Sequence, residues 1–406
     1  MEAEYYTAKI ISTNYSYTGE SIIKKVQYGT SKELNENGDG VPTLRLNEIK
    51  NIFVSETPAK FCAKLSDTEV RSLLLEKGDV LICRTNGNAN YVGRSGVIME
   101  KADYIFASYL YRIIPDLEKI NSETLVTFLN SKYGREQINK QSMQSNQVNF
   151  SPAKFRKISI PKISTRIQYT IAKMYSTAYT NIQNANNKYS QAENLLISEL
   201  GLENFNPSNE KVSIKTLKES FLKTGRLDSE YYQPKYDDYL KKVFSYSNGY
   251  ELLGESCNIK DKNFMPKDDE EYRYIELANI RSNAQISDCD NLLGKELPTR
   301  ARRKVNTGDV IVSSIEGSLE SCALITEEYN NSLCSTGFYV VNSEKINSES
   351  LLTVFKSSLM LNLMKKGCSG TILTNIAKEE FAKLPIPLLK QDVQEDIASY
   401  IKQSME

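Results

Sequence analysis

The stretch KGDVLIC at residues 77–83 decides the fold of this chain, because its pattern returns as TGDVIVS at residues 307–313. In each stretch a Gly-Asp pair, typical of a turn, leads into apolar residues rich in β-branched side chains, which is typical of a buried strand. A chain of 406 residues is long enough to hold two domains with real cores. We therefore expect one globular domain to be built twice.

The repeat extends well beyond the Gly-Asp strands. Residues 120–161 align without a gap with residues 346–387, and 13 of these 42 positions are identical. Near the start of each copy, Glu4-Tyr5-Tyr6 returns as Glu230-Tyr231-Tyr232. Strand-like alternation and helical spacing recur in pairs at residues 43–49 and 274–280, 107–113 and 334–340, and 122–131 and 348–357. The sequence predicts a mixed α/β (α+β) fold class with tandem duplicated domains.

A long helix is predicted between the copies, at about residues 165–200. Its apolar residues follow three–four spacing without an intervening Pro or Gly, and it would span about 50 Å. Such a helix would join the domains as a coiled-coil-type spacer, and a second helix of about 18 residues follows the second copy. The residues predicted for helix pairing are Ile167, Ile171, Met174, Ala178, Ile182, Ala185, Tyr189, Ile397 and Ile401.

These patterns divide the chain into five predicted segments. They are a first domain at 1–163, the long helix at 164–202, a linker at 203–226, a second domain at 227–388 and the short second helix at 389–406.

Composition narrows the possible functions. The chain contains no histidine, which removes the commonest general base and metal ligand. Its seven cysteines are scattered without a C-x-x-C pair, so we expect reduced and mostly buried thiols rather than a disulfide or zinc framework. We find neither a long apolar run nor a signal pattern, and we expect a cytoplasmic protein without membrane association.

Motifs for catalysis are missing from the sequence. It has no G-x-x-x-x-G-K-[S/T] phosphate loop and no Asn/Asp-Pro-Pro-aromatic segment of the kind that amino methyltransferases use. We find no spacing of acids and lysine that suits a nuclease metal site, so we predict neither catalytic residues nor a metal. An enzyme that acts alone is the least favoured interpretation.

Binding chemistry is better represented, in the loops that follow the two Gly-Asp strands. The first loop, RTNGNANYVGRS at residues 84–95, offers Arg and Asn side chains that can make bidentate contacts to guanine and adenine. The second, SSIEGS at residues 313–318, offers Ser and a Glu that can accept from the cytosine amine. Taken alone, either loop could also be an ordinary polar connection.

Positive charge is concentrated locally although the net charge is zero. Residues 131–173 hold nine Lys or Arg against one acid, and residues 300–304 add four more. This pattern fits an anionic partner, and a solvated basic face is the equally weighted alternative. The predicted DNA-contacting residues are Arg45, Arg84, Asn86, Asn88, Asn90, Arg94, Lys140, Gln144 and Asn146 in the first copy, and Arg300, Arg302, Arg303, Ser314, Glu316, Lys365, Lys366 and Thr371 in the second.

The order of these motifs resembles the specificity (S) subunits of Type I restriction–modification systems. The resemblance is carried by the repeated Gly-Asp strands, the Ile-Pro segments at 160–161 and 386–387, and the Gln-x-x-Ile-Ala starts at 168–172 and 394–398. The stretch GRLDSEYYQPKY at residues 225–236 looks like the start of a target recognition domain in such subunits. The resemblance covers essentially the whole chain.

This resemblance implies a non-catalytic subunit whose two target recognition domains each read one half of a bipartite double-stranded DNA site. Helices from the two copies would pair antiparallel as a spacer. The implied partners are DNA adenine methyltransferase (M) subunits, which would bind S-adenosylmethionine in place of any cofactor in this chain, and a restriction/translocase (R) subunit. The short second helix departs from the usual pattern.

Two alternatives stay open on the sequence. One is the specificity chain of a Type IIB or IIG-like system, in which the methylase and nuclease are fused. The other is a coiled-coil adaptor that binds no DNA.

Overall fold

The computed structural model describes residues 15–50, 52–54, 58–142, 148–210, 212–281, 283–287, 289–369 and 374–405. The chain divides into two compact units, Met1–Asn181 and Ile182–Glu406, named here the first and the second unit. Both combine helices and sheets, so the predicted mixed fold class is confirmed. The boundary lies inside the long helix, and the finer five-part division stays a prediction.

Short strands and short helices dominate the first unit. Its strands are β1 (Ser16–Thr18), β2 (Ile23–Tyr28), β3 (Val41–Leu44), β4 (Ile49–Lys50), β5 (Phe53–Val54), β6 (Phe61–Cys62), β7 (Val80–Cys83), β8 (Ser95–Val97), β9 (Ile105–Phe106), β10 (Leu110–Pro115) and β11 (Ser159–Pro161). Its helices are α1 (Asp67–Leu73), α2 (Ser122–Asn130), α3 (Lys132–Ser142), α4 (Pro152–Phe155) and the first part of α5 (Thr165–Glu199), with 3-10 turns at Gly19–Ile22, Leu46–Glu48 and Ala89–Tyr91.

The Gly-Asp strand β7 lies at the centre of the first unit. Its sheet has the order β2-β10-β7-β8-β5-β4, and β7 is antiparallel to both neighbours. Val80 and Ile82 enter one apolar core, whereas Leu81 and Cys83 enter another. A separate sheet of order β6-β3-β9, with β3 and β9 parallel, covers the second core. The strand is therefore buried on both faces, which explains its continuous apolar sequence.

The second unit repeats this set of elements. Its strands are β12 (Tyr250–Leu252), β13 (Asn258–Lys260), β14 (Glu271–Ile275), β15 (Asp290–Leu293), β16 (Ala301–Lys304), β17 (Val310–Ser313), β18 (Cys322–Leu324), β19 (Leu333–Ser335), β20 (Phe338–Asn342), β21 (Cys368–Ser369), β22 (Asn375–Ile376) and β23 (Pro385–Pro387). Its helices are α6 (Phe221–Thr224), α7 (Pro234–Phe244), α8 (Leu253–Ser256), α9 (Ser348–Lys356), α10 (Ser358–Gly367), α11 (Lys378–Ala382) and α12 (Gln391–Met405), with 3-10 turns at Leu277–Asn279, Gly294–Glu296, Glu316–Ser318 and Glu327–Tyr329.

The sheets of the second unit reproduce those of the first. One has the order β13-β20-β17-β18, which matches β2-β10-β7-β8, and β17 again lies between two antiparallel neighbours. The other has the order β15-β14-β19-β16, with β14 and β19 parallel as β3 and β9 are. Val310 and Val312 enter one core and Ile311 the other. The predicted tandem duplication is confirmed.

Both Gly-Asp turns require glycine. Gly78 has a φ of +89° and Gly308 a φ of +85°, in the left-handed region that other residues rarely adopt. The hydroxyl of Ser122 donates to the carbonyl of Gly78, and Ser348 donates to Gly308 in the same way. The helix that follows each sheet is thus tied directly to the turn.

A pair of hydrogen bonds between an asparagine and a glutamine fixes the start of α5 in the first unit and of α12 in the second. The backbone N–H of Asn121 donates to Gln168 Oε1 at 2.8 Å, and Asn121 Nδ2 donates to the Gln168 carbonyl at 3.0 Å. Asn347 and Gln394 make the same two bonds at 2.8 and 2.9 Å. Both asparagines also cap the helix in which they stand. α5 and α12 therefore begin in equivalent surroundings.

The strand predicted at residues 43–49 is wrong in its second half, and so is its counterpart at 274–280. The strands β3 and β14 end early, and a 3-10 turn follows each of them. The Glu48 carboxylate accepts a hydrogen bond from the N–H of Arg45 at 2.8 Å, and Asn279 closes the second turn likewise. A side chain three residues further along the chain thus accepts the hydrogen bond that a neighbouring strand would accept in a sheet.

The long helix α5 has 35 residues, close to the predicted extent, and spans about 50 Å. In the first unit it contributes Ile171 and Tyr175 to the core. The Tyr175 hydroxyl lies 3.0 Å from Thr127 Oγ1, and its ring packs against Phe53 at a centroid distance of 5.6 Å.

Within the second unit, α5 and α12 run antiparallel. Lys390, just before α12, pairs with Glu199 at the end of α5 at 3.0 Å. Eleven residues earlier on α5, Lys188 lies over the Tyr400 ring, 5.3 Å from its centroid and near the end of α12. The apolar cluster of this unit includes Tyr189, Ala192, Leu196, Ile397 and Ile401.

The cysteines are free thiols, and all except Cys289 are buried, as predicted. Burial raises the pKa of Cys83 to about 11 and that of Cys322 to about 12.

Among the described residues, no helix is both long and apolar enough to cross a membrane. The same residues contain no group of three or more Cys, Asp or Glu side chains suited to hold a metal ion.

Candidate nucleic-acid interface

In the first unit, the loop that follows β7 meets the segment around Asn149. Thr85 and Asn149 form an isolated antiparallel bridge, and the N–H of Phe150 donates to the Arg84 carbonyl at 2.8 Å. Because Phe150 is fully buried, this contact is anchored in the core. The loop therefore lies against the segment at Asn149 and Phe150.

The second unit has the same arrangement. Ile315 and Asn375 form the equivalent bridge, and the N–H of Ile376 donates to the Ser314 carbonyl at 2.9 Å. We name this meeting of the post-strand loop and the asparagine segment the reader junction of each unit. The two junctions share the bridge and the backbone hydrogen bond and differ in loop length and in side chains.

Asparagines stiffen the loop of the first reader junction. Asn86 Oδ1 accepts from the N–H of Asn88 at 2.9 Å, and Asn88 Oδ1 accepts from the N–H of Asn90 at 3.0 Å. Asn88 and Asn90 are exposed, and Asn86 is half-buried. Each bond occupies a side-chain oxygen and leaves the amide NH₂ of that side chain as a donor.

Two arginines of the same loop lie over aromatic rings. The Arg94 guanidinium carbon is 3.8 Å from the centroid of Tyr91, and that of Arg84 is 5.3 Å from the centroid of Tyr28. Stacking on a ring restricts the guanidinium without using its N–H donors. The predicted residues Arg84, Asn86, Asn88, Asn90 and Arg94 are thus brought together in one loop.

One residue of this junction, Arg135 of α3, was missed by the sequence reasoning. Its Nη1 donates to the Val92 carbonyl at 2.8 Å and its Nη2 to the Asn90 carbonyl at 3.1 Å. The signal was available in the basic segment 131–173, but spacing alone does not show which loop an arginine can reach.

One lysine contacts the asparagine side of the first junction, and a second lies on α3. Lys140 is half-buried on α3. Lys154 donates to the Asn149 carbonyl at 2.8 Å, and burial lowers the pKa of its ammonium group. Gln144 and Asn146 lie outside the described residues, and so do Glu4-Tyr5-Tyr6.

Arg45 stands apart from this loop, in the turn after β3. Its guanidinium lies 4.0 Å from the Glu48 carboxylate, the group that also closes the turn. This pairing gives Arg45 a structural role, and its contact with DNA stays a prediction.

The loop of the second reader junction is held by different groups. Ser314 donates to the Gly337 carbonyl through both its N–H and its hydroxyl, each at 2.9 Å. The Glu316 carboxylate lies 4.0 Å from Lys365 Nζ. Lys366 pairs with Asp237 at 3.8 Å, and burial lowers its pKa. An acid and two serines occupy the place that arginines and asparagines fill in the first unit.

Three predicted arginines lie at or next to β16: Arg300 just before the strand, and Arg302 and Arg303 within it. The Arg300 carbonyl accepts from the N–H of Thr336 at 2.9 Å, next to the Gly337 that holds Ser314. Arg302 Nη1 donates to the Ala301 carbonyl at 3.3 Å. Arg303 Nη1 is buried without a hydrogen-bond partner in the described part of the chain. Thr371 lies outside the described residues.

The residues predicted for helix pairing fall into two groups. Ile171 packs on the core of the first unit, and Tyr189, Ile397 and Ile401 share the core of the second. Ala178 and Ala185 are half-buried. The side chains that face solvent are Ile167, Met174 and Ile182, with exposures of 52%, 65% and 45%.

Comparison with known proteins points to one family. Residues 250–406 match the family model described as the Type I restriction modification DNA specificity domain. A curated relative, the Type I restriction enzyme EcoKI specificity subunit of Escherichia coli (strain K12), is 23% identical over 181 residues. That alignment covers 41% of this chain and 39% of the relative. The resemblance predicted from the sequence is confirmed by these matches.

Two solved structures are similar over most of their length. The S subunit of a Type I restriction–modification system from M. genitalium has a TM-score of 0.45 at 11% identity, with 98% of this chain and 91% of that chain covered. The HsdS subunit from Thermoanaerobacter tengcongensis has a TM-score of 0.31 at 11% identity, with the same coverage.

Proposed function

Because residues 250–406 match the family model of the Type I restriction modification DNA specificity domain, we propose that this chain is the DNA sequence-recognition subunit of such a system. It reads a bipartite double-stranded DNA target, one half through each reader junction. The chain itself is non-catalytic, and chemistry on the DNA belongs to its partners.

The observation that carries this proposal is the reader junction built twice on the same backbone. In both units a loop follows the central buried strand and is bridged to an asparagine segment, at Asn149 and Asn375. Loops held on a rigid scaffold are where proteins place binding residues. Two equivalent anchors that carry unlike side chains suit two unlike half-sites.

The first junction suits purine edges in the major groove. The Arg94 guanidinium is oriented by the Tyr91 ring, and a guanidinium can donate twice to guanine O6 and N7. The amides of Asn88 and Asn90 are exposed beside it, and an asparagine amide pairs in bidentate fashion with adenine.

The second junction suits a different set of bases. The Glu316 carboxylate can accept from the cytosine amine, and the hydroxyl of Ser318 can contact either kind of base. Lys365 lies 4.0 Å from Glu316 and would approach the phosphate backbone. The half-site that this unit reads therefore differs from the first.

Phosphate contacts supply affinity without sequence information. Lys140 on α3 provides them in the first unit, and Arg300, Lys365 and Lys366 provide them in the second. We expect binding to weaken steeply with salt, because each neutralised phosphate releases counterions.

The partners that we propose are DNA adenine methyltransferase subunits and a restriction/translocase subunit. Ile167, Met174 and Ile182 form an exposed apolar row on α5, a surface that a methyltransferase helix can cover. S-adenosylmethionine would bind to the methyltransferase, so we propose no cofactor site in this chain.

The test is selection of DNA by the assembled complex. The chain is co-expressed with its methyltransferase, the complex is incubated with randomised duplexes at fixed salt, and the retained duplexes are sequenced. We expect two conserved half-sites separated by unselected base pairs. The methyltransferase without this chain is the control and should enrich no sequence.

Retention without sequence enrichment would overturn the proposal. Co-purification with a single polypeptide that contains both methylase and nuclease would point instead to the fused system.

A further inference from the structure

The loop of the first reader junction is gripped from below by a single guanidinium. Arg135 stands in the first turn of α3, where its N–H bonds to the Ser131 carbonyl at 2.8 Å. Its two terminal nitrogens donate to the carbonyls of Val92 and Asn90, at 2.8 and 3.1 Å. Two bonds from one rigid fork fix both the height and the orientation of the loop segment.

The loop backbone lies directly on α3 at this point. Gly93, between the gripped residues and Arg94, has a φ of +79°, and a Cβ added there would lie 2.5 Å from Ile138 Cγ2 and 3.3 Å from Arg135 Nη1. Val92 is 1% exposed. Only glycine allows so close an approach, so the segment has no room to shift toward the helix.

Arg135 is committed to the protein rather than offered to solvent. Its side chain is half-buried, and burial, together with the nearby charge of Arg94, lowers the pKa of its guanidinium. Burying a charged group costs less when its donors have hydrogen-bond partners. Here the carbonyls of Val92 and Asn90 accept from the two terminal nitrogens of Arg135.

The segment that Arg135 holds carries the contact groups. It begins at Asn90, whose amide is exposed, and ends at Arg94, whose guanidinium stacks 3.8 Å from the Tyr91 ring. A displacement of this backbone would move both groups together, because they flank the gripped carbonyls.

The second unit has a different residue at the aligned position. At an offset of 226 residues, the aligned helix α10 has Leu361 where α3 has Arg135. A cavity of about 350 Å³ lies there, between the turn Glu316–Ser318 and α10, and Leu361, Asn362 and Lys365 line its helical side. A leucine donates no hydrogen bond, so the loop above the cavity is held by other groups.

We propose that Arg135 is a positioning residue for sequence reading by the first unit. It sets the register of Asn90 and Arg94 on the base edges and does not itself contact DNA. This inference rests on the proposed function, since register matters only if the loop reads bases.

The experiment compares three variants of the full chain in complex with the methyltransferase. Arg135→Leu installs the residue of the second unit, Arg135→Lys keeps the charge and loses the fork, and Lys101→Leu removes an exposed charge from another part of the first unit. Binding to every single-base variant of the selected site is measured at several salt concentrations.

We expect Arg135→Leu to lower discrimination at one half-site by about tenfold or more and to leave the other half-site unchanged, in keeping with the usual cost of a mismatched base pair. Arg135→Lys should fall between this variant and wild type, because an ammonium group can reach only one carbonyl well. Lys101→Leu should keep wild-type discrimination at both halves.

Two results would overturn the proposal. One is wild-type discrimination at both half-sites in Arg135→Leu. The other is a uniform loss of affinity with a salt slope reduced by about one, which identifies a phosphate contact instead. If Arg135→Leu fails to fold by circular dichroism, Arg135→Lys decides, and unchanged discrimination in that variant refutes the positioning role. A wild-type complex that selects no sequence would instead refute the proposed function.

Discussion

The aspartates of the two Gly-Asp turns accept the same hydrogen bond from the backbone but contact different side chains. Asp79 accepts a hydrogen bond from the N–H of Glu76 at 2.9 Å, and Asp309 accepts one from the N–H of Asn306 at 2.8 Å. Both aspartates are buried, at 3% and 2% exposure. The same carboxylate closes the same turn twice.

The partners that compensate the carboxylate charge differ. In the first unit Arg112 of β10 pairs with Asp79 at 2.9 Å, and each side chain is 4% exposed. In the second, Asn342 of β20 donates to Asp309 at 2.8 Å, and Lys260 of β13 pairs with it at 2.7 Å with a side chain 32% exposed. The cation has moved from the neighbouring strand to the next one, and from the interior toward water.

This difference shows which parts of the scaffold allow substitution. A bond to the backbone constrains one residue type at one position, since the backbone atom cannot move away. A bond between side chains requires only that the carboxylate find a hydrogen-bond donor and a positive charge. An arginine can therefore be replaced by an asparagine at the same place and a lysine on another strand. The reader junctions follow the same rule.

The largest expected effect comes from breaking the buried pair. Arg112→Met should lower the free energy of unfolding of the first unit by about 3–5 kcal/mol, because it leaves an uncompensated buried carboxylate. Lys260→Met should cost the second unit about 1 kcal/mol, since Asn342 still bonds Asp309 and water reaches the lysine. Urea unfolding followed by amide hydrogen exchange in each unit measures both.

A double variant serves as the control. Asp79→Asn combined with Arg112→Met removes both charges and should recover part of the loss. Equal costs for Arg112→Met and Lys260→Met would contradict the contrast between the two turns.

A somewhat smaller effect is expected from altering one reader junction. Arg84→Ala with Asn86→Ala should weaken recognition of one half-site by about 1–3 kcal/mol for each base that is no longer recognised, while the other half-site is read normally. Glu316→Gln should weaken recognition of the other half-site and leave the first one unchanged. The readout is binding to duplexes with single-base changes, and weaker recognition of both halves in either variant would rule out separate readers.

The turn glycines should have equal and moderate effects in both units. Gly78→Ala and Gly308→Ala should each cost about 1–2 kcal/mol of stability, because an alanine is strained at their positive φ. Gly87→Ala is a matched control in the exposed loop, where an added Cβ meets no atom within 4 Å. Thermal unfolding of the three variants checks this, and a destabilised Gly87→Ala would show that the loop itself is strained.

The smallest effect concerns how each unit holds α5. The first uses the neutral bond between Tyr175 and Thr127, whereas the second uses Glu199, which accepts from the Tyr246 hydroxyl at 2.7 Å and pairs with Lys390 at 3.0 Å. The bond from Tyr246, followed by the Lys390 interaction, lowers the pKa of Glu199 below its usual value of 4.5.

Because this pKa is lowered on folding, the stabilisation is complete above the unfolded pKa and is lost as the pH falls through the folded one. Acidification from about pH 5 to pH 3 should therefore weaken the second unit by less than about 1 kcal/mol through this group. Glu199→Gln should remove that component, which hydrogen exchange near α12 can measure. An identical pH response in the variant would assign the effect to other groups.

Much of the fold could be predicted because its determinants are local. The β-branched run after Gly78 identifies a strand with two buried faces, and Asn121 marks a helix start through its own cap. The length of α5 follows from uninterrupted spacing. The strand predicted at 43–49 failed because Leu44 and Leu46 alternate as in a strand, whereas the three-residue step from Leu46 to Ile49 fits the 3-10 turn that is observed.

The candidate site was only half accessible to such reasoning. The loop residues Arg84 to Arg94 follow a strand whose position is predictable, so their grouping could be expected. The grip of Arg135 could not, because it joins residues more than forty positions apart through a fork whose reach depends on the packing of α3. The change from Arg135 to Leu361 at the aligned position of the second copy is the pattern that would have revealed it.

The bridges at Asn149 and Asn375 have a consequence for how such a chain can change over generations. The bonds between Phe150 and Arg84, and between Ile376 and Ser314, use only peptide atoms. A mutation in the exposed part of either loop leaves those bonds intact, and it alters what is bound at little cost to folding. If each unit reads its own half-site, as proposed, selection can explore new DNA targets in one unit while the other keeps its own and the protein stays folded.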